Sequence, residues 1–231
     1  MMTEPLLSPK FALALQFANE IHSTQVRKGA AAAPYISHLM TVCALVLESG
    51  GNETQAIAAL LHDSAEDCGG RPMLDTVRVM FGDEVAEIVA SCTDTFDTPK
   101  PEWRPRKQAY LASMAGKPVG VKLVACADKL HNISNTLRDI QSESVEAWRL
   151  RMAGTPNGVA DKQCWYYLGC LEALSTGWRN PLLDEFARAV RQLCELVGTA
   201  QNLVRVDAMI RGERTTIPMQ GDDCILRGRR E

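Results

Sequence analysis

The sequence lacks several features that would assign it to a broad class of protein. Its 231 residues contain no run of eighteen apolar residues, which argues against a membrane-spanning helix. The net charge is −3, whereas a general nucleic-acid-binding protein is usually basic. The eight cysteines form no Cys-x-x-Cys pair, which favours reduced, buried thiols over a cysteine-built zinc site. Because the first ten residues also lack the order of a signal peptide, we expect a cytoplasmic protein without membrane or nucleic-acid partners.

Apolar residues recur at helical spacing along most of the chain. Ser8-Pro9 has the composition of a helix start, with serine as the cap and proline in the first turn. The same spacing predicts further helices at about 37–48, 52–68, 72–81, 83–92, 106–115, 119–138, 145–152, 162–176 and 183–197. We therefore predict a single all-α domain, a helical bundle over residues 1–200.

The C-terminal residues 201–231 are polar and are predicted to be a tail. Weak alternation at Val204-Arg205-Val206 leaves open a short hairpin, an oligomerisation arm or a disordered segment. A helical bundle with such a tail also leaves open a homo-oligomer.

One short segment, His62-Asp63-Ser64-Ala65-Glu66-Asp67, combines an imidazole with three carboxylates. On one helix, His62 and Glu66 are four residues apart, as are Asp63 and Asp67, so each pair shares a face. Three neighbouring carboxylates repel each other, and we expect a cation to compensate them.

The chain has only four histidines, all within its first 131 residues: His22, His38, His62 and His131. Near the last of them, Asp128 lies on an otherwise apolar predicted helix. A carboxylate at such a position is unfavourable unless it is paired or binds a metal.

These residues resemble those of a known family. The order His38, His62-Asp63, Asp128 matches the H…HD…D signature of HD-domain metal-dependent phosphohydrolases. The segments Gln25–Gly29, Pro34–His38, HDSAED and ADKLHN are similar to the hydrolase domain of RelA/SpoT-type proteins and their small stand-alone relatives. The resemblance covers roughly residues 8–180 and implies the HD-domain helical bundle.

The resemblance implies that His38, His62, Asp63 and Asp128 bind one divalent metal ion, which in this family is generally Mn²⁺. Two imidazoles and two carboxylates also suit Fe²⁺, Zn²⁺ or Mg²⁺. Dinuclear members of the superfamily need extra histidines, and only His22 and His131 remain here.

The same resemblance implies roles for other side chains. Glu66 and Asp67 would position or deprotonate a water that the metal activates, and would protonate the leaving oxygen. Their shared charge is expected to raise the pKa of one of them. Candidates for substrate binding are Arg27 and Lys28 for the base and phosphate, Asn132 for the ribose, and also Lys129, Tyr166 and Tyr167.

Simpler interpretations stay open at this point. Glu66 and Asp67 could be solvated acids, and Arg27-Lys28 could be cations that complement a helix C-terminus. In Cys92-Thr93-Asp94-Thr95, an aspartate replaces the lysine of the valine-threonine-lysine pattern common in RelA/SpoT domains. This exchange disfavours a pyrophosphate substrate unless Arg104, Arg106 or Lys107 supplies the missing charge.

The favoured function is hydrolysis of the alarmone (p)ppGpp with release of pyrophosphate. A nucleotide or NADPH phosphatase that releases orthophosphate is the alternative enzyme. The alternative outside the enzymes is a sensor that binds a nucleotide or metal without turnover.

Overall fold

The computed structural model describes residues 6–27, 32–153 and 160–213. Every regular element in this part of the chain is an α-helix, which confirms the all-α prediction, and one isolated β-bridge joins Val26 to Pro34. None of these helices is both long and apolar enough to cross a membrane. The helices are α1 Pro9–Ile21, α2 Ile36–Glu48, α3 Glu53–Leu61, α4 Ser64–Asp67, α5 Gly70–Phe81, α6 Asp83–Cys92, α7 Trp103–Met114, α8 Val119–Glu143, α9 Val145–Met152, α10 Ala160–Ser175, α11 Pro181–Val197 and α12 Ala200–Ile210.

Helix α8 is the centre of the bundle. It packs against α2, α3, α6 and α11, and side chains such as Val124, Ala127 and Ile133 are fully buried along it. Burying one large aliphatic side chain stabilises the fold by about 1.5–3 kcal/mol. The packing brings polar residues of α2, of the turn after α3 and of α8 into one interior region.

The helix starts follow the sequence closely. The Ser8 side chain accepts a hydrogen bond from the Lys10 amide at the start of α1. Asn52 and Gln55 form a reciprocal capping box at the start of α3, which fixes the entry of this helix. Helix α7 begins at Trp103, three residues before the predicted start at 106, because Pro105 is tolerated in a first turn. Helix α8 continues five residues beyond the predicted Arg138.

The predicted helix across the acidic segment is wrong in one respect, because it is interrupted. Helix α3 ends at Leu61, His62 and Asp63 form a turn, and α4 begins at Ser64. The His62 Nδ1 atom bonds to the Ala59 carbonyl oxygen at 2.8 Å. This side-chain bond takes an acceptor that a continuing helix would offer to the Asp63 amide. The break separates the His-Asp pair from the Glu66-Asp67 pair.

Residues 201–210 belong to α12, so the short hairpin left open for them is wrong. Thr199 and Asn202 form its capping box. Val206 is buried and Val204 is half exposed, so the alternation of the valines did not reflect a strand. Arg205 is buried and binds Glu172 of α10. Residues 214–231 of the predicted tail lie outside the described residues.

Candidate metal centre and active site

Four side chains converge where α2, α8 and the turn between α3 and α4 meet. His38 Nε2 lies 3.2 Å from Asp128 Oδ1 and 3.5 Å from Asp63 Oδ2. His62 Nε2 lies 3.1 Å from Asp63 Oδ2 and 3.5 Å from Asp128 Oδ1. The structure thus brings all four predicted ligands together, with two imidazole nitrogens and two carboxylate oxygens facing one another.

These residues fit a divalent cation. The Nε2 atoms of His38 and His62 are buried and have no hydrogen-bond partner, which is unfavourable unless another group satisfies them. The ligand atoms of His38, His62 and Asp128 lie within 4.8 Å of one another. An ion at their common centre would satisfy both nitrogens and neutralise both carboxylates.

A second layer of contacts orients the four side chains. The bond from His62 Nδ1 to the Ala59 carbonyl requires a proton on Nδ1, which leaves Nε2 as the ring atom that faces the centre. The Tyr35 hydroxyl donates to Asp63 Oδ2 at 2.6 Å. Lys129 Nζ donates to Asp128 Oδ2, and Asn132 Nδ2 donates to Asp128 Oδ1.

Both carboxylates are held in the ionised form that metal binding requires. Burial alone would raise the pKa of Asp63, but His62 and His38 outweigh it and hold this pKa well below its usual value. Burial likewise opposes ionisation of Asp128, and Lys129 with the two imidazoles lowers its pKa.

The two remaining histidines support the centre instead of joining it. His131 stacks on His38 with ring centroids 4.9 Å apart, and their Nδ1 atoms are 2.6 Å apart. Burial and the nearby His38 lower the pKa of His131 to about 3, so its ring is neutral at physiological pH. His22 packs on Tyr35. These positions agree with a single metal ion at the centre, which stays a prediction.

The acid pair lies on α4, beside the four-residue cluster. Lys100 Nζ binds Glu66 Oε1 at 2.8 Å and Asp67 Oδ1 at 3.3 Å. Burial, and next the charge of Asp94, raises the pKa of Glu66. The expected rise in pKa is therefore present, but Asp67 is not its main cause. Lys100 was not predicted, because nothing in its polar loop distinguishes it from a solvated lysine.

Asp94 lies close to the acid pair and is neutralised by two cations. Its side chain is buried and binds Arg106 and Lys107 of α7. Burial alone would raise the pKa of Asp94, but Lys107 and Arg106 outweigh it and lower this pKa. Arg106 also approaches Glu66 Oε1 to 4.0 Å. Two of the three predicted compensating cations are thus at this site, with Lys100 as a third positive charge.

A cavity of about 520 Å³ opens beside the acid pair. Its wall includes Glu66, Asp67, Arg71 and Thr95, and the Arg71 guanidinium lies 4.7 Å from the centre of the Phe96 ring. Glu66 and Asp67 therefore face an open space on this side.

Two of the predicted substrate-binding residues meet beside Asp128 of the cluster. Arg27 donates to Asn132 Oδ1 at 2.7 Å, and its guanidinium lies 5.6 Å from the centre of the Tyr35 ring. Asn132 in turn binds Asp128. A ligand held by this pair would lie next to the metal centre. Lys28 lies outside the described residues.

Lys129 and the two tyrosines are placed differently from this pair. Lys129 is paired with Asp128 and lies 5.2 Å from the centre of the Tyr110 ring and 5.9 Å from that of Tyr166. Tyr167 is buried and contacts the Phe186 ring. These positions favour orientation of Asp128 and core packing over direct contact with a substrate.

The comparison with known protein families agrees with this arrangement. The model of the HD domain family matches residues 14–151. The chain belongs to the HD domain family. The matched region contains all four cluster residues and both acids, so the predicted family is confirmed.

Two relatives with similar sequences are named pyrophosphohydrolases. The chain is 36% identical over 137 residues to the guanosine-3′,5′-bis(diphosphate) 3′-pyrophosphohydrolase MESH1 of Xenopus tropicalis, covering 58% of this chain and 72% of the relative. The Homo sapiens protein of the same name has the same identity and coverage. A solved structure of a metazoan ortholog of SpoT, described as hydrolysing ppGpp, matches with a TM-score of 0.52 and 26% identity over 91% of this chain and 97% of its own.

Proposed function

We propose that this HD domain protein is a metal-dependent phosphohydrolase that cleaves (p)ppGpp and releases pyrophosphate, with Mn²⁺ as the metal. The observation that carries the proposal is the convergence of His38, His62, Asp63 and Asp128 beside the acid pair Glu66-Asp67. The relatives named for this reaction support the choice of substrate.

The proposed roles follow from the contacts. A divalent cation held by the cluster would supply Lewis-acid polarisation of the phosphate and of the attacking water. Asp67 is fixed by Gln25 and Lys100 and would accept a proton from that water. Glu66 would donate a proton to the ribose 3′ oxygen as its bond to phosphorus breaks, and its raised pKa suits an acid.

The cations around Asp94 would offset the charge of the pyrophosphate group. Arg106, Lys107 and Lys100 carry three positive charges, and Asp94 and Asp67 carry two negative charges, so this region keeps one positive charge when Glu66 is protonated as the proposed acid. Cations close to a phosphate stabilise the negative charge on it. The aspartate that replaces the lysine of the RelA/SpoT pattern is therefore compatible with the proposed substrate.

Replacing Arg27 by alanine is expected to raise KM by about 10–100-fold, because a lost hydrogen bond from a charged group costs about 1.5–3 kcal/mol. Since Asn132 lies between Arg27 and the metal cluster, kcat should change much less. Steady-state kinetics of the variant measure both. Arg78→Ala is the matched control, because Arg78 pairs only with surface carboxylates in the described structure. An equal fall in kcat would refute a role limited to binding.

The experiment that tests the proposed function is an assay of metal-stripped protein, reloaded with Mn²⁺ and incubated with ppGpp. Anion-exchange chromatography separates the products. GDP and pyrophosphate are expected. Orthophosphate released from NADPH or simple nucleotides, without turnover of ppGpp, would contradict the proposal and establish the phosphatase alternative.

A further inference from the structure

We infer that His22 is a positioning residue that holds two parts of the active site through two separate arms. This inference rests on the proposed function. One arm runs through Gln25 to the proposed catalytic Asp67, and the other runs through Tyr35 to the proposed ligand Asp63. His22 is buried, with 3% of its surface exposed, directly after α1.

The first arm is a chain of hydrogen bonds. His22 Nδ1 lies 2.6 Å from Gln25 Oε1, and because an amide oxygen only accepts, the histidine must donate from Nδ1. This contact directs the Gln25 amide group so that Nε2 donates to Asp67 Oδ2 at 2.9 Å. Lys100 binds the other oxygen of Asp67. His22 therefore determines which end of the Gln25 amide faces the carboxylate.

The second arm is a ring stack. The imidazole of His22 and the ring of Tyr35 are stacked, with centroids 5.0 Å apart and planes 21° apart. The Tyr35 hydroxyl donates to Asp63 Oδ2 at 2.6 Å, and its ring meets His38 edge-on at 5.6 Å. The stack fixes the Tyr35 ring and hence the position of its hydroxyl.

A third contact holds the imidazole itself. Cys68, next to Asp67 in the chain, places its Sγ atom 3.5 Å from His22 Nδ1 and 3.7 Å from Nε2. The same sulfur donates to the Ile21 carbonyl oxygen at 3.5 Å. Cys68 therefore joins the end of α1, where His22 lies, to the end of α4, which carries the acid pair.

Two substitutions separate the arms. His22→Phe keeps a ring on Tyr35 but removes the donor to Gln25, and kcat for ppGpp is expected to fall about tenfold with unchanged Mn²⁺ affinity. His22→Asn keeps an N–H donor but removes the stack, and the Mn²⁺ dissociation constant is expected to rise about tenfold with near-normal kcat at saturating Mn²⁺. Electron paramagnetic resonance of free Mn²⁺ measures the affinity without any substrate.

Gln25→Leu provides a second route to the first arm, because it leaves the buried histidine in place. It should lower kcat as His22→Phe does. The double variant with His22→Phe and Gln25→Leu should be no slower than either single variant. Gln16→Leu is the control, since Gln16 also bonds to an acid, Glu20, but on the exposed face of α1. Equal losses of kcat and Mn²⁺ affinity in both His22 variants, or additive losses in the double variant, would overturn the inference. Absence of ppGpp turnover in the wild type would instead refute the proposed function, and the Mn²⁺ affinities would still test the second arm.

Discussion

Replacing Asp63 by alanine should abolish retention of Mn²⁺ and with it turnover of ppGpp. Asp63 Oδ2 lies within 3.5 Å of the Nε2 atoms of both His38 and His62, so its loss removes one of two anionic ligands from the centre. Losing an outer contact to a metal ligand typically lowers affinity by about 10–100-fold, and losing the ligand itself should exceed this. Metal analysis after desalting measures retention, and electron paramagnetic resonance measures the residual affinity.

Asp75→Ala is the matched control for this experiment. Asp75 is an exposed aspartate on α5 whose partner in the described structure is the surface residue Arg78. It should retain Mn²⁺ and activity like the wild type. A normal metal content in Asp63→Ala would remove Asp63 from the ligand set and with it the proposed geometry of the centre.

Replacing Glu66 by glutamine should leave Mn²⁺ binding intact and lower kcat by about 10²–10⁴-fold, the usual contribution of general acid-base catalysis. The amide has the shape of the carboxylate but cannot transfer the proton. Glu66 is bound by Lys100 and approached by Arg106, and no cluster imidazole bonds to it. Metal affinity should therefore not depend on it. Single-turnover kinetics with ppGpp and Mn²⁺ titration measure the two effects.

The Glu66 variant also tests whether the protein is an enzyme or a sensor. A protein that only binds a nucleotide would show no turnover in the wild type and no change in nucleotide affinity in the variant. Glu87→Gln, at an exposed position of α6, is the control for replacing a glutamate. Normal turnover in Glu66→Gln would exclude Glu66 as the proton donor.

The sequence predicted the parts of the site that depend on order and local spacing. The all-α fold followed from helical periodicity, and the four cluster residues followed from the resemblance to the H…HD…D signature of the family. The break at His62 was missed because it arises from a bond between a side chain and the backbone. Helix α12 was missed because the burial of Arg205 depends on Glu172, thirty-three residues away.

The contacts around the acid pair needed the tertiary structure. Gln25 and Asp67 are separated by 42 residues, and Lys100 and Glu66 by 34, so no local pattern connects them. For Asp94, the sequence named Arg104, Arg106 and Lys107 as candidate compensating cations, but it did not show which of them reach the aspartate, for the same reason. Its neutralising cations come from the following helix, α7.

The cluster draws its ligands from α2, from the turn after α3 and from the middle of α8, which are far apart along the chain. A cation bound there would act as a cross-link that only the folded chain can form. At a free concentration one hundred times its dissociation constant, such an ion adds about 2.7 kcal/mol to the stability of the folded state. The supply of the metal would then determine the amount of folded protein as well as the rate of the reaction.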